Sequence, residues 1–325
     1  MSQTLPSITI AIPTFNRKDT ILKCISNLVN RALPSNVDIL VIDNNSQDGT
    51  FDAIKKFNQN EKIRILQNSS NIGFSGNTAE LIHQCGTEYI IWSSDEDDVL
   101  VQNLEALTSF LAKNSPVFVA PQYYISGESG EYLYRGKVKS KIVNPKDIWS
   151  FTHLPGLVFR VDIAQKALIN YDDWNKKFPV ATNLYPQIML IAYALIKGNG
   201  YWWNMPINKE RVALEETHIV TNSIHYYDLP SRWDQYKDFT DYFSYMEQLP
   251  ENKHCKDIIK TYIKSHNMWF ISVIRSSIDS ERPNQLNNFD SALKLNCLTG
   301  MGFIRKFLYS IFVDYTLILN KLKLK

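Results

Sequence analysis

The sequence predicts an α/β fold in which helices flank a mainly parallel sheet and a helical C-terminal region follows. Five short apolar runs in the first 120 residues alternate with segments whose apolar residues recur at helical spacing. From about Ser231 onward the chain is aromatic-rich and helical in pattern, with interruptions near Pro250 and Pro283. Strands that alternate with helices imply right-handed crossovers and parallel pairing.

The five apolar runs are bounded by polar or turn residues, as buried strands are. They are Ile8–Ile12, Val37–Ile42, Ile63–Leu66, Tyr89–Trp92 and Val117–Ala120. Helices are predicted between them, around Ile21–Ala32, Thr50–Phe57, Ser75–Ile82 and Leu104–Leu111. After Pro121 the pattern predicts a hairpin over 123–134, then short strands, loops and a helix around Ile188–Ile196. We expect a boundary that separates residues 1–225 from residues 226–325.

The composition excludes several classes of protein. The 325 residues are 44% hydrophobic and 21% charged, and the net charge of +2 predicts no strong attraction to nucleic acid. Four widely spaced cysteines favour a reduced cytoplasmic protein over a disulfide framework or a zinc site. We expect no secretory leader, and no apolar stretch approaches the ~20 residues that span a membrane.

Four consecutive acids, Asp95 to Asp98, follow the fourth predicted strand. Adjacent carboxylates repel each other, and a divalent cation is a physical reason to gather them. In an extended stretch Asp95 and Asp97 would point one way and Glu96 and Asp98 the other. The alternative interpretation is a solvated acidic turn.

Three polar segments end the earlier strands, and the carboxyl ends of parallel strands share one edge. They read Pro13-Thr14-Phe15-Asn16-Arg17, then 43–50 (DNNSQDGT), then 71–77 (NIGFSGN). We therefore expect all three to converge on one crevice with the acidic run. Taken singly, each is also explained by turns and helix caps.

The order of these four segments resembles the inverting family 2 glycosyltransferases with the GT-A fold, which use nucleotide-sugar donors. The family pattern runs P-T-Y/F-N-R, V-I-D-N/D-x-S-x-D-G-T, N-x-G-x-x-x-x-N and D-x-D, and this chain has IPTFNR, VIDNNSQDGT, NIGFSGN and SDEDD. The likeness is close over about residues 7–120 and looser over 120–220. It implies that residues 1–225 form the catalytic GT-A domain.

The resemblance also implies roles for single residues. A nucleotide-sugar, with a UDP-sugar favoured, would be bound by Pro13, Thr14, Asn16, Arg17, Asp43, Asn45, Asn71, Gly73, Asn77, Asp95, Glu96 and Arg211. Asp97 would ligate Mg²⁺ or Mn²⁺, with Asp95 near the ribose or a metal-bound water and His218 as a late metal ligand. Such a cation would neutralise the charge that grows on the leaving diphosphate.

The catalytic base is less clearly marked. The family places an acidic motif, often Glu-Asp, before a helix beneath the acceptor, whereas this chain has Thr182-Asn183-Leu184-Tyr185-Pro186-Gln187 there. The predicted candidates are Asp173, the second of two nearby acids, and Asp98, which would face the acceptor. Asp173 is also explained by an Asx turn, and Arg211 and His218 by a solvated loop.

Residues 301–320 are apolar but interrupted by Arg305, Lys306 and Asp314, and lysines follow them. This pattern suits peripheral binding to the inner face of the cytoplasmic membrane, or a helix packed on the domain or in an oligomer. The predicted activity is sugar transfer, with inversion, to a hydroxyl of a growing O-antigen or capsule glycan, lipid-linked by expectation. The alternatives are a sugar nucleotidyltransferase and a non-catalytic nucleotide-binding scaffold.

Overall fold

The computed structural model describes residues 5–127, 130–134, 139–169, 171–211 and 229–280. Ten strands and ten α-helices are formed in these ranges, with short 3-10 segments between them. The strands are β1 Ile8–Thr14, β2 Val37–Asp43, β3 Ile63–Gln67, β4 Tyr89–Trp92, β5 Asp97–Val99, β6 Phe118–Gly127, β7 Gly130–Tyr134, β8 Lys141–Ile142, β9 Val158–Arg160 and β10 Gly200–Glu210. The helices are α1 Lys18–Val29, α2 Thr50–Ile54, α3 Gly73–Gln84, α4 Leu104–Asn114, α5 Val161–Leu168, α6 Tyr171–Lys177, α7 Pro179–Leu184, α8 Pro186–Lys197, α9 Leu229–Gln248 and α10 Lys256–Ser280.

All ten strands belong to one mixed sheet with the order β3-β2-β1-β4-β9-β6-β10-β5, to which β7 and β8 add at β6 and β10. The first four strands along the chain pair in parallel, as do β6 and β10. Strand β9 runs antiparallel between β4 and β6, and β5 runs antiparallel to β10. The predicted α/β class and its mainly parallel sheet are therefore confirmed.

Helices cover both faces of the sheet because its strands alternate apolar side chains between two cores. Ile10 of β1 and Ile91 of β4 pack with α1 and α4 on one face. Ala11 and Ile90, which adjoin Ile10 and Ile91 in those strands, pack with α3, α5 and α8 on the other face. A strand buried on both faces has no polar positions, which explains the continuous apolar runs in the sequence.

All five predicted strands are present, and the predicted hairpin is formed by β6 and β7. The second predicted helix is shorter than its pattern, because α2 passes into the 3-10 segment Lys55–Gln59. The Asn58 side chain there bonds both backbone groups of Ile65 and so fastens this segment to β3. The sequence did not predict β5, because its first two residues are acidic.

The helical C-terminal region begins with α9 and α10, which pack together on the face formed by α7 and α8. Phe239, Tyr242 and Tyr262 join the same apolar core as Ile188 and Ile191 of α8. The division at residue 225 stays a prediction, and residues 301–320 lie outside the described ranges. None of the helices that the structure describes has the length and apolarity that a membrane crossing requires.

We expect Ile10→Ala in β1 to lower the free energy of unfolding by about 2 to 5 kcal/mol, because it removes buried methyl groups and leaves a cavity. Ile10 is fully buried. The matched control is Ile169→Ala, because Ile169 is 76% exposed and its truncation should change stability by less than about 0.5 kcal/mol. Urea unfolding of both variants measures the difference, and equal midpoints would contradict the assignment of this core.

Candidate active site

The carboxyl ends of the first three strands are aligned by backbone hydrogen bonds. Thr14 is in register with Asp43, and Asp43 with Gln67. The pairing continues one residue beyond each strand, where the Asn44 amide donates to Thr14 and the Asn68 amide donates to Asp43, both at 2.9 Å. The predicted polar loops therefore leave the sheet side by side and form the floor of one crevice.

Asp43 is completely buried at this edge and acts as an acceptor inside the second loop. Its carboxylate accepts hydrogen bonds from the backbone amide and hydroxyl of Ser46 and from Gln67 Nε2 at 2.9 Å. Asn45 has a φ of +63°, a left-handed conformation that asparagine tolerates better than most residues. The loop is thus a tight turn built around one carboxylate.

Asn44, which the sequence analysis did not single out, ties the second loop to the third. Its Nδ2 donates to Asn71 Oδ1 at 2.8 Å and to the Gly73 carbonyl at 3.2 Å. Its Oδ1 accepts from Asn68 Nδ2 and from the Ile72 amide. Asn77 completes this group by donating to the Ile42 carbonyl at 3.1 Å. The predicted nucleotide-binding residues Asn71, Gly73 and Asn77 are therefore held against β2.

The turn after β1 makes direct contact with the acidic run. Thr14 Oγ1 donates to Asp95 Oδ2 at 2.8 Å, and Arg17 Nη1 lies 3.2 Å from Asp95 Oδ1. The same guanidinium pairs with Glu96. Asn16, at a φ of +51°, accepts from the Gln47 amide and joins this turn to the second loop. Pro13 is the β1 residue before Thr14.

Asp95 and Asp97 are buried, whereas Glu96 and Asp98 are partly exposed, which is the predicted alternation. Asp97 is 2% exposed. Its carboxylate accepts from the Tyr123 hydroxyl at 2.7 Å and from Asn208 Nδ2 at 3.2 Å. Burial raises the pKa of the Asp97 carboxyl to about 7, although these two hydrogen bonds oppose that increase. Burial also raises the pKa of Asp95, against the opposing effect of Arg17.

Arg211 closes the other side of the acidic run. Its backbone amide and Nε donate to the Glu96 carbonyl at 3.2 and 3.1 Å, and its Nη2 donates to the Asp95 carbonyl. Its Nη1 lies 3.8 Å from Asp98 Oδ1, which also accepts from Asn27 at 3.1 Å. Arg211 thus fastens the backbone of the acidic turn to the end of β10.

The acidic run fits a divalent cation that takes most of its ligands from elsewhere. The described residues contain no group of three or more His, Cys, Asp or Glu side chains placed to hold a metal alone. Mg²⁺, however, usually keeps one or two carboxylates together with substrate phosphates and water. Asp97 is buried with neutral donors, and a cation beside it would offset the cost of that negative charge.

Residues 9–183, more than half of the chain, match the sequence profile of "Glycosyl transferase family 2". The chain belongs to this family. The solved structure of S. aureus TarS 1–349 in complex with UDP-GlcNAc superposes with a TM-score of 0.64 at 13% identity, covering 97% of this chain and 92% of the TarS 1–349 chain. Membership of glycosyltransferase family 2 and the GT-A fold are therefore confirmed.

Curated relatives of this family 2 member are named as sugar transferases. One is the GalNAc(5)-diNAcBac-PP-undecaprenol beta-1,3-glucosyltransferase of Campylobacter jejuni, 24% identical over 190 residues, which are 56% of this chain and 61% of that protein. Another is the poly(ribitol-phosphate) beta-N-acetylglucosaminyltransferase TarP of S. aureus, 22% identical over 181 residues, which are 53% of this chain and 54% of TarP. The matches therefore span less than two thirds of these relatives.

The family 2 member has no acid in the described segment 182–187. Gln187, at the start of α8, is 3% exposed and donates from Nε2 to the Thr152 carbonyl at 2.6 Å. Asn183 accepts at Oδ1 from Ser75 of α3 at 2.9 Å. Asp173, the predicted base, lies on α6 and accepts from Lys177 one turn later at 2.7 Å. Its catalytic role stays a prediction.

His218, the predicted metal ligand, lies outside the described residues. Tyr123 and Asn208 both contact Asp97, yet no motif marks either residue in the sequence. They come from β6 and β10, distant along the chain, and only the strand order brings them to the acidic run.

We expect Asp97→Asn to stabilise the metal-free protein at pH 8 by about 2 to 4 kcal/mol, and by less than half of that at pH 5. The pKa of Asp97 is raised from 3.8 to about 7 on folding, so the folded state binds more protons than the unfolded state between those values. The free energy of unfolding is therefore highest below about pH 4. It falls as the pH rises from about 4 to 7, because folding must then keep this carboxyl protonated.

Melting temperatures from pH 5 to 8, recorded with a chelator, measure this difference. The matched control is Asp162→Asn, because Asp162 is an exposed residue of α5 that pairs with Arg160 at 2.7 Å on the opposite edge of the sheet. Parallel pH curves for wild type and Asp97→Asn would contradict the prediction.

Proposed function

We propose that this family 2 member transfers one sugar, with inversion, from a nucleoside-diphosphate sugar to a hydroxyl of a glycan. The contact of Asp95 with Thr14 and Arg17 carries the proposal. It joins the acidic run to the loops that, by resemblance, bind the nucleotide. A UDP-sugar is the favoured donor, in keeping with the UDP-GlcNAc in the TarS complex.

The proposed metal is Mg²⁺ or Mn²⁺, held by Asp97 with Asp95 beside it and His218 as a further candidate ligand. When bound, it would supply positive charge where negative charge grows on the departing diphosphate. The protein's own part is to hold that position rigid. Thr14 and Arg17 orient the carboxylate of Asp95, and Tyr123 and Asn208 orient that of Asp97.

The proposed acceptor is a lipid-linked oligosaccharide or a related surface polymer of the O-antigen or capsule type. Support comes from the named relatives, whose substrates include an undecaprenol-linked glycan and poly(ribitol-phosphate). Family membership favours this activity over a sugar nucleotidyltransferase. Asp98 and Asp173 remain the proton acceptors predicted from the sequence.

We expect Asp97→Asn to lower sugar transfer on the order of 100-fold or more, because one charge that supports the reaction is removed. The assay is release of nucleoside diphosphate from a panel of nucleotide sugars with Mn²⁺, after a thermal-shift screen has selected the donor. Asp162→Asn, on the opposite edge of the sheet, should retain wild-type rates.

Three outcomes would count against the proposal. Release of pyrophosphate would indicate a nucleotidyltransferase, and nucleotide binding without any turnover would indicate a scaffold. Equal transfer rates for wild type and Asp97→Asn would contradict the metal assignment.

We further propose that residues 226–325 form the helical C-terminal region through which the chain binds the inner face of the membrane. Flotation with anionic liposomes compares the full chain with a truncation at about residue 300. The full chain is expected to float and the truncation to stay in the soluble fraction, because residues 301–320 combine apolar and basic residues. Equal soluble fractions would exclude this role, and a mass change measured by light scattering would indicate an oligomer instead.

A further inference from the structure

We propose that a pocket in the helical layer binds one sugar ring of the acceptor glycan, apart from the crevice, an inference that rests on the proposed sugar transfer. The pocket lies between α5, α6, α8 and α9 and has a volume of 170 Å³. Four aromatic side chains help to line it, and we call it the aromatic pocket: Trp174, Tyr193, Tyr242 and Tyr245. None of the described residues that line it belongs to the polar loops or to the acidic run.

The walls of the aromatic pocket are already fixed in place. Trp174 and Tyr242 are 5% and 0% exposed, and their rings meet edge to face with centroids 5.3 Å apart. The Tyr242 hydroxyl donates to the Met189 carbonyl at 3.0 Å, which holds that ring against α8. Tyr193 and Tyr245 are only partly buried, so a ligand can reach them. A ligand that enters therefore has few side chains to order, which favours binding.

The aromatic pocket also offers a hydrogen-bond donor and an acceptor. Among the described residues none forms a hydrogen bond with the Tyr193 hydroxyl. Burial and the nearby Glu251 carboxylate raise the pKa of this hydroxyl, so it stays protonated at neutral pH and can donate. Glu251 is exposed, and its neighbour Asn252 fixes this segment to α9 by donating to the Met246 carbonyl at 3.0 Å. The phenol and the carboxylate thus have defined positions.

The size and charge of the aromatic pocket favour a single sugar ring. Its 170 Å³ is well below the roughly 300 to 1,000 Å³ of pockets for drug-sized ligands, which excludes a whole nucleotide-sugar. Lys166 and Glu251 contribute one charge of each sign, so the lining does not select an anion. A sugar ring has C–H faces that pack on aromatic rings and hydroxyls that both donate and accept. A hydrocarbon chain would leave the Tyr193 hydroxyl without a partner.

Helix α6 connects the aromatic pocket to the crevice. It begins at Tyr171, whose hydroxyl donates to Ser75 Oγ of α3 at 2.9 Å. Helix α3 begins at Gly73 in the third polar loop, and Trp174 lies three residues beyond Tyr171. A glycan that leaves the crevice along α6 would therefore reach the aromatic pocket with a ring distant from its reacting hydroxyl. Binding there would hold the glycan without taking part in the chemistry.

Saturation-transfer NMR with methyl glycosides of glucose, galactose and N-acetylglucosamine tests this inference, without nucleotide and with a chelator. The methyl group replaces the next residue of a glycan. We expect at least one glycoside to bind wild type, and Tyr193→Phe to raise its Kd by about 2 to 12-fold through loss of one hydrogen bond. Tyr245→Ala should raise the Kd at least as much. The matched control is Tyr201→Phe, a partly exposed tyrosine of β10 that packs on Phe110 and should keep the wild-type Kd.

Several results would overturn the inference. One is that no glycoside binds wild type, and another is that the Kd stays the same in Tyr193→Phe and Tyr245→Ala. Tyr193→Phe keeps the ring and its packing, so its Kd is informative even where Tyr245→Ala fails to fold. Binding of the free sugars without their methyl glycosides would also overturn it, because an inner ring of a glycan has a substituted anomeric carbon.

These experiments measure binding and need no sugar transfer. A wild-type protein that transfers sugar but binds no glycoside in the aromatic pocket would spare the proposed function and remove this inference. A protein that binds glycosides through Tyr193 and Tyr245 but transfers sugar from no donor would remove the proposed function. The sugar site would then stand, without its link to an acceptor.

Discussion

Two carboxylates, those of Asp95 and Asp97, are buried close together along the chain at the edge of one sheet. Asp95 is compensated by the Arg17 guanidinium and the Thr14 hydroxyl. Asp97 accepts instead from the neutral donors Tyr123 and Asn208. Removing a carboxylate from water costs several kcal/mol unless partners offset it. Hydrogen-bond donors on the surrounding strands must therefore lie close to these two carboxylates. The order of the strands in the sheet places them there.

The alignment of strand ends explains why so much of this edge could be predicted from the sequence. Apolar runs such as Ile8–Ile12 are continuous because both faces of β1 are covered, so their positions identify the strands. The polar residues that follow each run must meet at one edge, and Thr14 does contact Asp95. The four motifs that led to the family are these same polar segments, and their order along the chain is the order of the strands that they follow.

The sequence could not predict partners that only tertiary structure creates. Tyr123 is 26 residues from Asp97 and Asn208 is 111 residues away, and neither lies in a motif. The Arg211 side chain donates to the backbone carbonyls of Asp95 and Glu96, contacts that no sequence motif marks, and its role in binding a nucleotide-sugar stays a prediction. Such contacts depend on the antiparallel pairing of β5 with β10. The sequence does not predict this pairing, because the first two residues of β5 are acidic and do not resemble a strand.

The family profile ends at residue 183, but the fold does not. Helix α9 supplies Asp238, whose Oδ2 accepts from the amides of Val180 and Ala181 at 2.7 and 3.3 Å. These are amides in the first turn of α7, which would otherwise lack partners. The superposition with TarS over 97% of the chain agrees with a fold that extends well beyond the profile. Helix α9 thus fixes the start of α7, directly before segment 182–187.

The attachment of Arg211 to the acidic turn has a thermodynamic consequence. The Arg211 guanidinium donates to two consecutive peptide carbonyls of the acidic turn and to the Thr20 carbonyl of α1. These bonds connect the turn, α1 and the end of β10 to one another. Any ligand that prefers the fastened turn must, by reciprocity, also favour the fastened position of Arg211. Occupancy of the acidic turn and the position of Arg211 at the end of β10 are therefore linked equilibria.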